Sequence, residues 1–521
     1  EMKQGLKFLD VFAGSGVVSK LAKSLNFEVY TNDWENYSYI LNNGFIKSNY
    51  RDINSLFGSS GEFIDYLDQI NNIPAPSMED KYISKYYAPE SYNIDEADFR
   101  VERLFYTKEN ALTIDKIRNF IETEHPEGND NRIRNILLSV LIYQSATHTN
   151  TSGVFKAFHK GFGGHGKDAM KRILTPIRLS MPNLIDSDYP VHIFKEDANI
   201  LVKNKEVQNI DIAYLDPPYN QHQYGSNYHM LNTIALWDKI SAPLTLNGNG
   251  VLTEKAAIRK DWINTRSNYC YSESAISSFK DLIDNLDAKF ILISYSSDGL
   301  IPFETMKKIC TSKGKLTIVT NEYTKYRGGK QSNNHQNVNI EFVLIIDTQN
   351  RSLKEHMIDI DSVIIRKKIL LMFKQKYTLN KLKTHCERIE GDNIFIDFGG
   401  KTQKIVSKNH FELFPPENID NLSMKENEIL YKTLQNCVCK TKEEELEEII
   451  SKINGNIDNK VFYIKLIPNT LKKLAHKKNK DRFIYWLNII KIIEKTDKDL
   501  YRLIDGKIEK LELLAEKRFN N

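Results

Sequence analysis

The sequence predicts an α/β fold. A mostly parallel sheet carries helices on its faces, a largely helical insertion interrupts it, and a separate α+β unit follows. Three observations lead there. Near the N-terminus an apolar strand, Phe8 to Phe12, runs into Ala13-Gly14-Ser15-Gly16, after which Val17, Val18, Leu21, Ala22 and Leu25 recur at helical spacing. Near the middle a second apolar strand, Ile210 to Leu215, ends at Asp216-Pro217-Pro218-Tyr219. About 180 residues separate these blocks, far more than a sheet connection needs, so an inserted element lies between them.

The first block is strand, glycine turn, helix. Gly14 and Gly16 let backbone approach a ligand closely, and the helix start offers free N–H groups. A second strand, Glu28 to Thr31, ends at Asn32-Asp33, which puts a carboxylate about 17 residues after the last glycine, where a ribose diol is held in nucleotide-binding sheets. That layout points to a nucleoside cofactor. A dinucleotide fingerprint would place glycine where Ser19 stands. Asp10-x-Phe12-x-Gly14-x-Gly16 instead resembles the S-adenosylmethionine loop of class I methyltransferases.

Within the insertion, 48–97 is rich in turn residues and tyrosine, and Ile114 to Glu122 and Ile133 to Tyr143 have helical apolar spacing. Gly153 to Lys167 interleaves Phe155, Phe158 and Phe162 with Lys156, His159, Lys160, His165 and Lys167. That mixture suits stacking on bases and contacting phosphates; a plain flexible surface loop is the alternative. A third strand, Val191 to Phe194, leads to Glu196-Asp197-Ala198, where Asp197 reads equally as a helix cap.

The tetrapeptide is suited to a flat amino group. An exocyclic amine on a base is a poor nucleophile because its lone pair is delocalised into the ring, so its hydrogens must be accepted to localise that pair. Asp216 accepts one through its carboxylate. Prolines lack N–H, so their carbonyls are the only backbone polar groups there, and that of Pro217 accepts the second. Tyr219 offers a stacking face. A strand ending in a proline turn is the purely structural reading, and the upstream glycine turn favours the chemical one.

Downstream, Ser274 to Leu286 and Phe303 to Ser312 read as helices, Lys289 to Ser294 as a strand, and Lys315 to Val319 with Asn339 to Ile346 as a terminal strand pair. Their connection, 325–330, is basic and glycine-rich, with Arg327 and Lys330 as DNA-backbone contacts or as part of a solvated turn. Beyond residue 350 a second unit is expected: a helix near Val363 to Gln375, a hairpin from Asn393 to Val406 turning at Gly399-Gly400, and helices at Glu443 to Ile453 and Arg482 to Lys495. Asp458-Asn459-Lys460 ends like a nuclease motif but has no upstream acidic partner on a strand.

In this order the motifs resemble the D12-type N6-adenine-specific DNA methyltransferases of the FokI-methylase kind. The likeness rests on Asp10 to Gly16, Thr31-Asn32-Asp33, Asn150 to Phe155, Asp216 to Asn220, Gln223-Tyr224-Gly225, Asn227-Tyr228-His229 with Leu231, and Ser294-Tyr295-Ser296 with Gly299-Leu300. It covers about the first 350 residues. It implies a class I methyltransferase (Rossmann-like) sheet. S-adenosyl-L-methionine would be held by Asp10, Phe12, Ala13, Gly14, Ser15 and Gly16, with Asn32 and Asp33 at the ribose and Asp197 near the adenine. The catalytic positions would be Asp216, Pro217, Pro218 and Tyr219. DNA contacts are expected from Lys156, His159, Lys160, Lys167, Tyr224, Asn227, Tyr228, His229, Arg327 and Lys330. The catalytic domain is expected at 1–48 and 188–350, the target-recognition insertion at 49–187, and a basic C-terminal domain, for DNA recognition or partner docking, at 351–521. Members also carry a segment before the glycine turn that closes over the methionine end of the cofactor. Only Glu1 to Lys7 stand there, so that task is expected to fall to another part of the chain or a partner, or the segment was trimmed and Glu1-Met2 is a tag remnant.

Composition bounds the rest. With 521 residues, 41% apolar and 27% charged, the chain lies in the globular range with length for two or three cores. The residues after 350 carry a net charge of about +8 and those before about −4, the asymmetry of a polyanion-facing module or of a solvated lysine-rich surface. Five scattered cysteines read as reduced thiols, and Cys437-Val438-Cys439 lacks partners for a zinc site, so no metal is expected. No apolar run reaches the ~18 residues of a membrane span, and the expected location is the bacterial cytoplasm beside the nucleoid. The expected function is methyl transfer to adenine N6 in double-stranded DNA by base flipping, as the modification component of a restriction-modification or related system, with a cognate endonuclease or second subunit as partner. RNA base methylation, or a DNA-binding specificity subunit needing a partner, are the alternatives.

Overall fold

The computed structural model describes residues 5–128, 130–164, 166–320, 340–455 and 459–520. These form two compact units, Glu1–His356 and Met357–Asn521. The first is built on seven strands: β1 (Lys7–Asp10), β2 (Glu28–Asn32), β3 (Val191–Phe194), β4 (Ile210–Leu215), β5 (Ala288–Ser296), β6 (Lys315–Thr320) and β7 (Glu341–Asp347). Their order is β3-β2-β1-β4-β5-β7-β6. The first five run parallel, and β7 runs antiparallel to both β5 and β6. Leu9 stands between Tyr30 on β2 and Ala213 on β4, so the chain order reverses between β1 and β4. In open α/β sheets that switch point leaves a crevice at the carboxyl ends of the strands. Asp10, Asn32 and Asp216 arrive there together.

Buried apolar residues on these strands, among them Leu9, Val29, Ala213, Ile291 and Leu344, explain why the sheet is covered on both faces. The insertion between β2 and β3 holds helices Tyr50–Phe57, Ser60–Asn71, Lys108–Glu124 and Arg132–His148. The segment read as turn-rich and tyrosine-rich is therefore partly helical. Asn49 and Asp52 form a capping box, Ser59 caps the next helix, and Ile53, Phe63, Leu67 and Ile70 bury their side chains at helical spacing. The interspersed polar and tyrosine residues had hidden that period.

The insertion shares its core with the chain that follows β4. Ile117, Ile121, Leu137 and Leu141 pack with Met230, Leu231 and Ile234 of helix His229–Leu236. The buried Arg118 guanidinium donates to the carbonyls of Ile234 at 2.8 Å and Ala235 at 3.1 Å, satisfying the last acceptors of that helix. The insertion thus fixes the helix that leaves the tetrapeptide.

The second unit carries β8 (Arg388–Glu390), β9 (Asn393–Asp397), β10 (Thr402–Lys408) and β11 (Glu412–Phe414) in an antiparallel sheet ordered β11-β10-β9-β8. Gly399 and Gly400 turn the β9–β10 hairpin with φ of 84° and 100°, where a side chain would be strained. Its helices include Leu379–His385, Met424–Cys437, Lys442–Asn454, Lys460–Lys472, Lys480–Thr496 and Asp505–Asn520. No helix among the described residues is long and apolar enough to cross a membrane. Arg327 and Lys330, with the connection 325–330, lie outside the described residues, as do His165, Asn339 and Asp458.

Candidate functional site

The glycine turn is held by side chains from β2 and the segment after it. Gly14 and Gly16 have φ of 53° and 77°, and a Cβ on Gly16 would stand 2.5 Å from Asn42 Oδ1. Asp33 accepts the backbone N–H of Gly14 at 2.8 Å and of Glu35 at 2.9 Å. Asn32 accepts from Glu196 N at 2.9 Å and donates to the Val11 and Glu196 carbonyls, each at 3.1 Å, tying the ends of β1, β2 and β3 together. Phe12 meets Tyr269 edge-on at 5.5 Å. Ser19, where a dinucleotide loop has glycine, donates to Asp10 Oδ2 at 2.7 Å, while Asp10 Oδ1 is buried with no partner among the described residues. Burial raises the Asp10 carboxyl to about 7. The Ser19 hydroxyl opposes that rise, and the charges of Asp33 and Asp216 add to it.

A cavity of about 580 Å³, within the ~300–1,000 Å³ usual for small-molecule sites, opens at this edge. Asp10, Phe12, Ala13, Gly14, Ser15, Asn32, Asp33 and Asp197 line one side; Asp216, Pro218, Tyr224 and Tyr228 line the other. Gly16 lies behind its wall. The Asp216 carboxylate is accessible from the cavity and accepts no hydrogen bond among the described residues, while the surrounding protein, with the charge of Glu341, raises it to about 6. Pro217 is buried and Tyr219 stands beside the cavity without lining it. The Tyr219 ring is 37% exposed and edge-on to Tyr295 at 6.3 Å, and its carbonyl accepts from Leu300 N at 2.9 Å. Asp197 does what a cap does, accepting from Asn199 N at 2.9 Å and Ile200 N at 3.3 Å, and also faces the cavity.

Several lining residues escaped the sequence reading. Glu35 is buried, accepts from Asn232 Nδ2 at 2.6 Å and Thr265 Oγ1 at 3.3 Å, and burial raises it to about 7. Tyr37 stacks on Tyr228 at 4.9 Å, and Tyr228 on Tyr224 at 5.7 Å. Helix Arg132–His148 contributes Tyr143 and Thr147. The acid beside Asp33 was a signal for Glu35. Nothing local marks a wall contributed from over a hundred residues away.

The expected DNA contacts separate into groups. Lys156, Lys160 and Lys167 are exposed, with the Lys160 ammonium 5.3 Å over the Phe99 ring; His159 is half-buried, its backbone N–H bonded to Asn150 O at 3.0 Å. Phe155 and Phe162 are buried and anchor the loop; Phe162 offers no open face for a base, while Phe155 also lines the cavity. Tyr224 and Tyr228 face the cavity. Asn227 and His229 require correction as contacts: both are buried, and His229 sits edge-on to Phe105 at 5.6 Å. Burial, with the charges of Arg259 and Arg103, lowers His229 to about 3, so it is a neutral core residue on the face that packs against the insertion.

A model of the D12 class N6 adenine-specific DNA methyltransferases matches residues 1–309, more than half of the chain. The chain belongs to this family. Its relatives include the type II methyltransferase M.NlaIII of Neisseria lactamica, 32% identical over 337 residues, covering 64% of this chain and 88% of that protein. M.CviAII of Paramecium bursaria Chlorella virus 1 is 30% identical over 323 residues (62% and 84%), and M.FokI of Planomicrobium okeanokoites 31% over 326 residues (61% and 45%). No solved structure matches. As a D12 methyltransferase the chain is an adenine-specific enzyme acting on DNA, and the parallel-dominated sheet is the Rossmann-like core of its class. The family match ends within the first unit.

Proposed function

We propose that this D12 methyltransferase transfers a methyl group from S-adenosyl-L-methionine to adenine N6 at a specific site in duplex DNA, with the target base rotated out of the helix. The observation that carries this reading is the Asp216 carboxylate, which accepts no hydrogen bond among the described residues and is open to the same cavity as the glycine turn. The residues fit the cofactor: the turn leaves open space where a Cβ on Gly14 would stand, and Asp33 keeps acceptor capacity after binding its two N–H groups. When bound, the cofactor supplies an electron-poor methyl on a cationic sulfur, a charge suited to the Asp216 carboxylate that lines the cavity. Asp10, Phe12, Ala13, Ser15, Asn32 and Asp197 shape the remainder of that half.

Asp216 accepts one hydrogen of the amine and the Pro217 carbonyl the other, which localises the lone pair toward the methyl. Tyr219, propped by Tyr295, stacks the base, and Pro218 stiffens the turn. After transfer Asp216 takes the surplus N6 proton and releases it to solvent. Extrusion of the base costs a few kcal/mol of unstacking. Lys156, His159, Lys160 and Lys167, with Arg327 and Lys330, hold backbone phosphates, and the insertion reads the target. The relatives named type II methyltransferases support a modification role; a cognate endonuclease and a bacterial cytoplasmic setting belong to the same proposal.

Incubation with tritiated S-adenosylmethionine and either unmethylated duplex DNA or RNA tests this. Label in duplex adenine that disappears in Asp216→Ala is expected; label only in RNA, or in neither polymer, overturns the proposal.

A further inference from the structure

The small sheet of the second unit, outside the residues that the family model matches, has two unlike faces. One buries Ile394, Ile396, Ile405 and Leu413 in the unit's core. On the other, alternate residues of β10 place Lys404, Val406 and Lys408 in solvent. Register sets Phe395 between Arg388 and Lys404, and Val406 opposite Phe414. Val406 is 46% and Phe414 48% exposed. The acids nearby are already engaged. Glu390 holds Arg388 at 2.9 Å, Asp397 accepts the N–H groups of Gly399 and Gly400, and Glu412 pairs with Lys376. Lys404 and Lys408 have no acidic partner among the described residues. Four residues apart on one strand, they stand about 13 Å from each other, close to the ~12 Å width of a DNA major groove.

We propose that this face docks duplex DNA, with Lys404 and Lys408 on the two backbones flanking the major groove and Val406 and Phe414 against sugar edges. Cations that lack a carboxylate partner among the described residues, Lys408 with its ammonium 4.6 Å over the Phe462 ring, flank exposed apolar side chains on a unit of net charge about +7, and match a polyanion with an apolar rim. The inference rests on duplex DNA as the substrate polymer, not on methyl transfer.

The test uses the full chain and a fluorescein-labelled duplex of arbitrary sequence, titrated by anisotropy across salt concentrations. For the Lys404→Ala/Lys408→Ala double variant we expect the slope of log affinity against log salt to shrink by about 2, one per lost phosphate contact. Affinity should fall about tenfold or more at 0.15 M salt, a loss set by released counterions. The kcat on saturating DNA should stay at the wild-type value. Phe414→Ala should weaken affinity without changing the slope. An unchanged affinity and slope in the double variant overturns the proposal and leaves the face to an acidic protein partner. Loss of kcat with unchanged affinity overturns it as well. Wild-type protein that binds duplex but does not methylate it would sink the catalytic reading while leaving this one standing.

Discussion

The two halves of the cavity are built on opposite plans. At the ends of β1 and β2 nearly every polar group has a partner within the protein: Asp33 takes two backbone N–H groups, Asn32 bridges three strand ends, and Ser19 binds Asp10. At the end of β4 the Asp216 carboxylate has none among the described residues. The first half is assembled before any ligand arrives, while the second keeps its acceptor free for one. Side chains in the first half are therefore expected to carry stability as well as binding, whereas the Asp216 carboxylate of the second is expected to carry chemistry alone.

Substitutions that separate rate from stability sharpen this contrast. Asp216→Asn keeps shape but loses the charged acceptor. It should lower kcat by about 10²–10³-fold, the cost of one preorganised electrostatic contact, while the melting temperature holds or rises. A parallel drop in melting temperature would break the comparison. Asp33→Ala should do the reverse in urea unfolding, costing about 1–3 kcal/mol because two N–H groups lose their acceptor, as well as weakening cofactor binding in calorimetry.

The acids should also divide by pH. The proposed transfer uses Asp216 ionised, and its carboxyl is raised to about 6, so kcat/KM should fall about tenfold per unit below that pH. A profile flat to pH 5 would remove Asp216 from the chemistry. Asp10 acts on stability. Its carboxyl rises from 3.8 to about 7 on folding, so the folded state holds a proton that the unfolded state releases. That stabilisation is complete below pH 3.8 and is lost as pH rises through 7. The smallest effect expected is that Asp10→Asn flattens the fall of melting temperature between pH 5 and 8 by roughly a few degrees.

Legibility in the sequence followed the range of the forces. The glycine turn, the proline-stiffened strand end and the Gly399-Gly400 hairpin were readable because φ preferences and apolar alternation act within a few residues. Helices Tyr50–Phe57 and Ser60–Asn71 were not, since polar and tyrosine residues covered their period. The runs Asn227-Tyr228-His229 and Gly153 to Lys167 looked like exposed contact surfaces. Folding put His229, Phe155 and Phe162 into the core and left Lys156, Lys160 and Lys167 outside.

By itself the chain determined which residues sit at strand ends, because turns and caps are local, and so it determined that an acid-rich, glycine-lined edge would exist. Only the tertiary structure decided what that edge encloses. Glu35, Tyr37 and the face of helix Arg132–His148 reach the cavity through contacts spanning many tens of residues in sequence, where burial of apolar surface selects the neighbour and no local pattern records the choice.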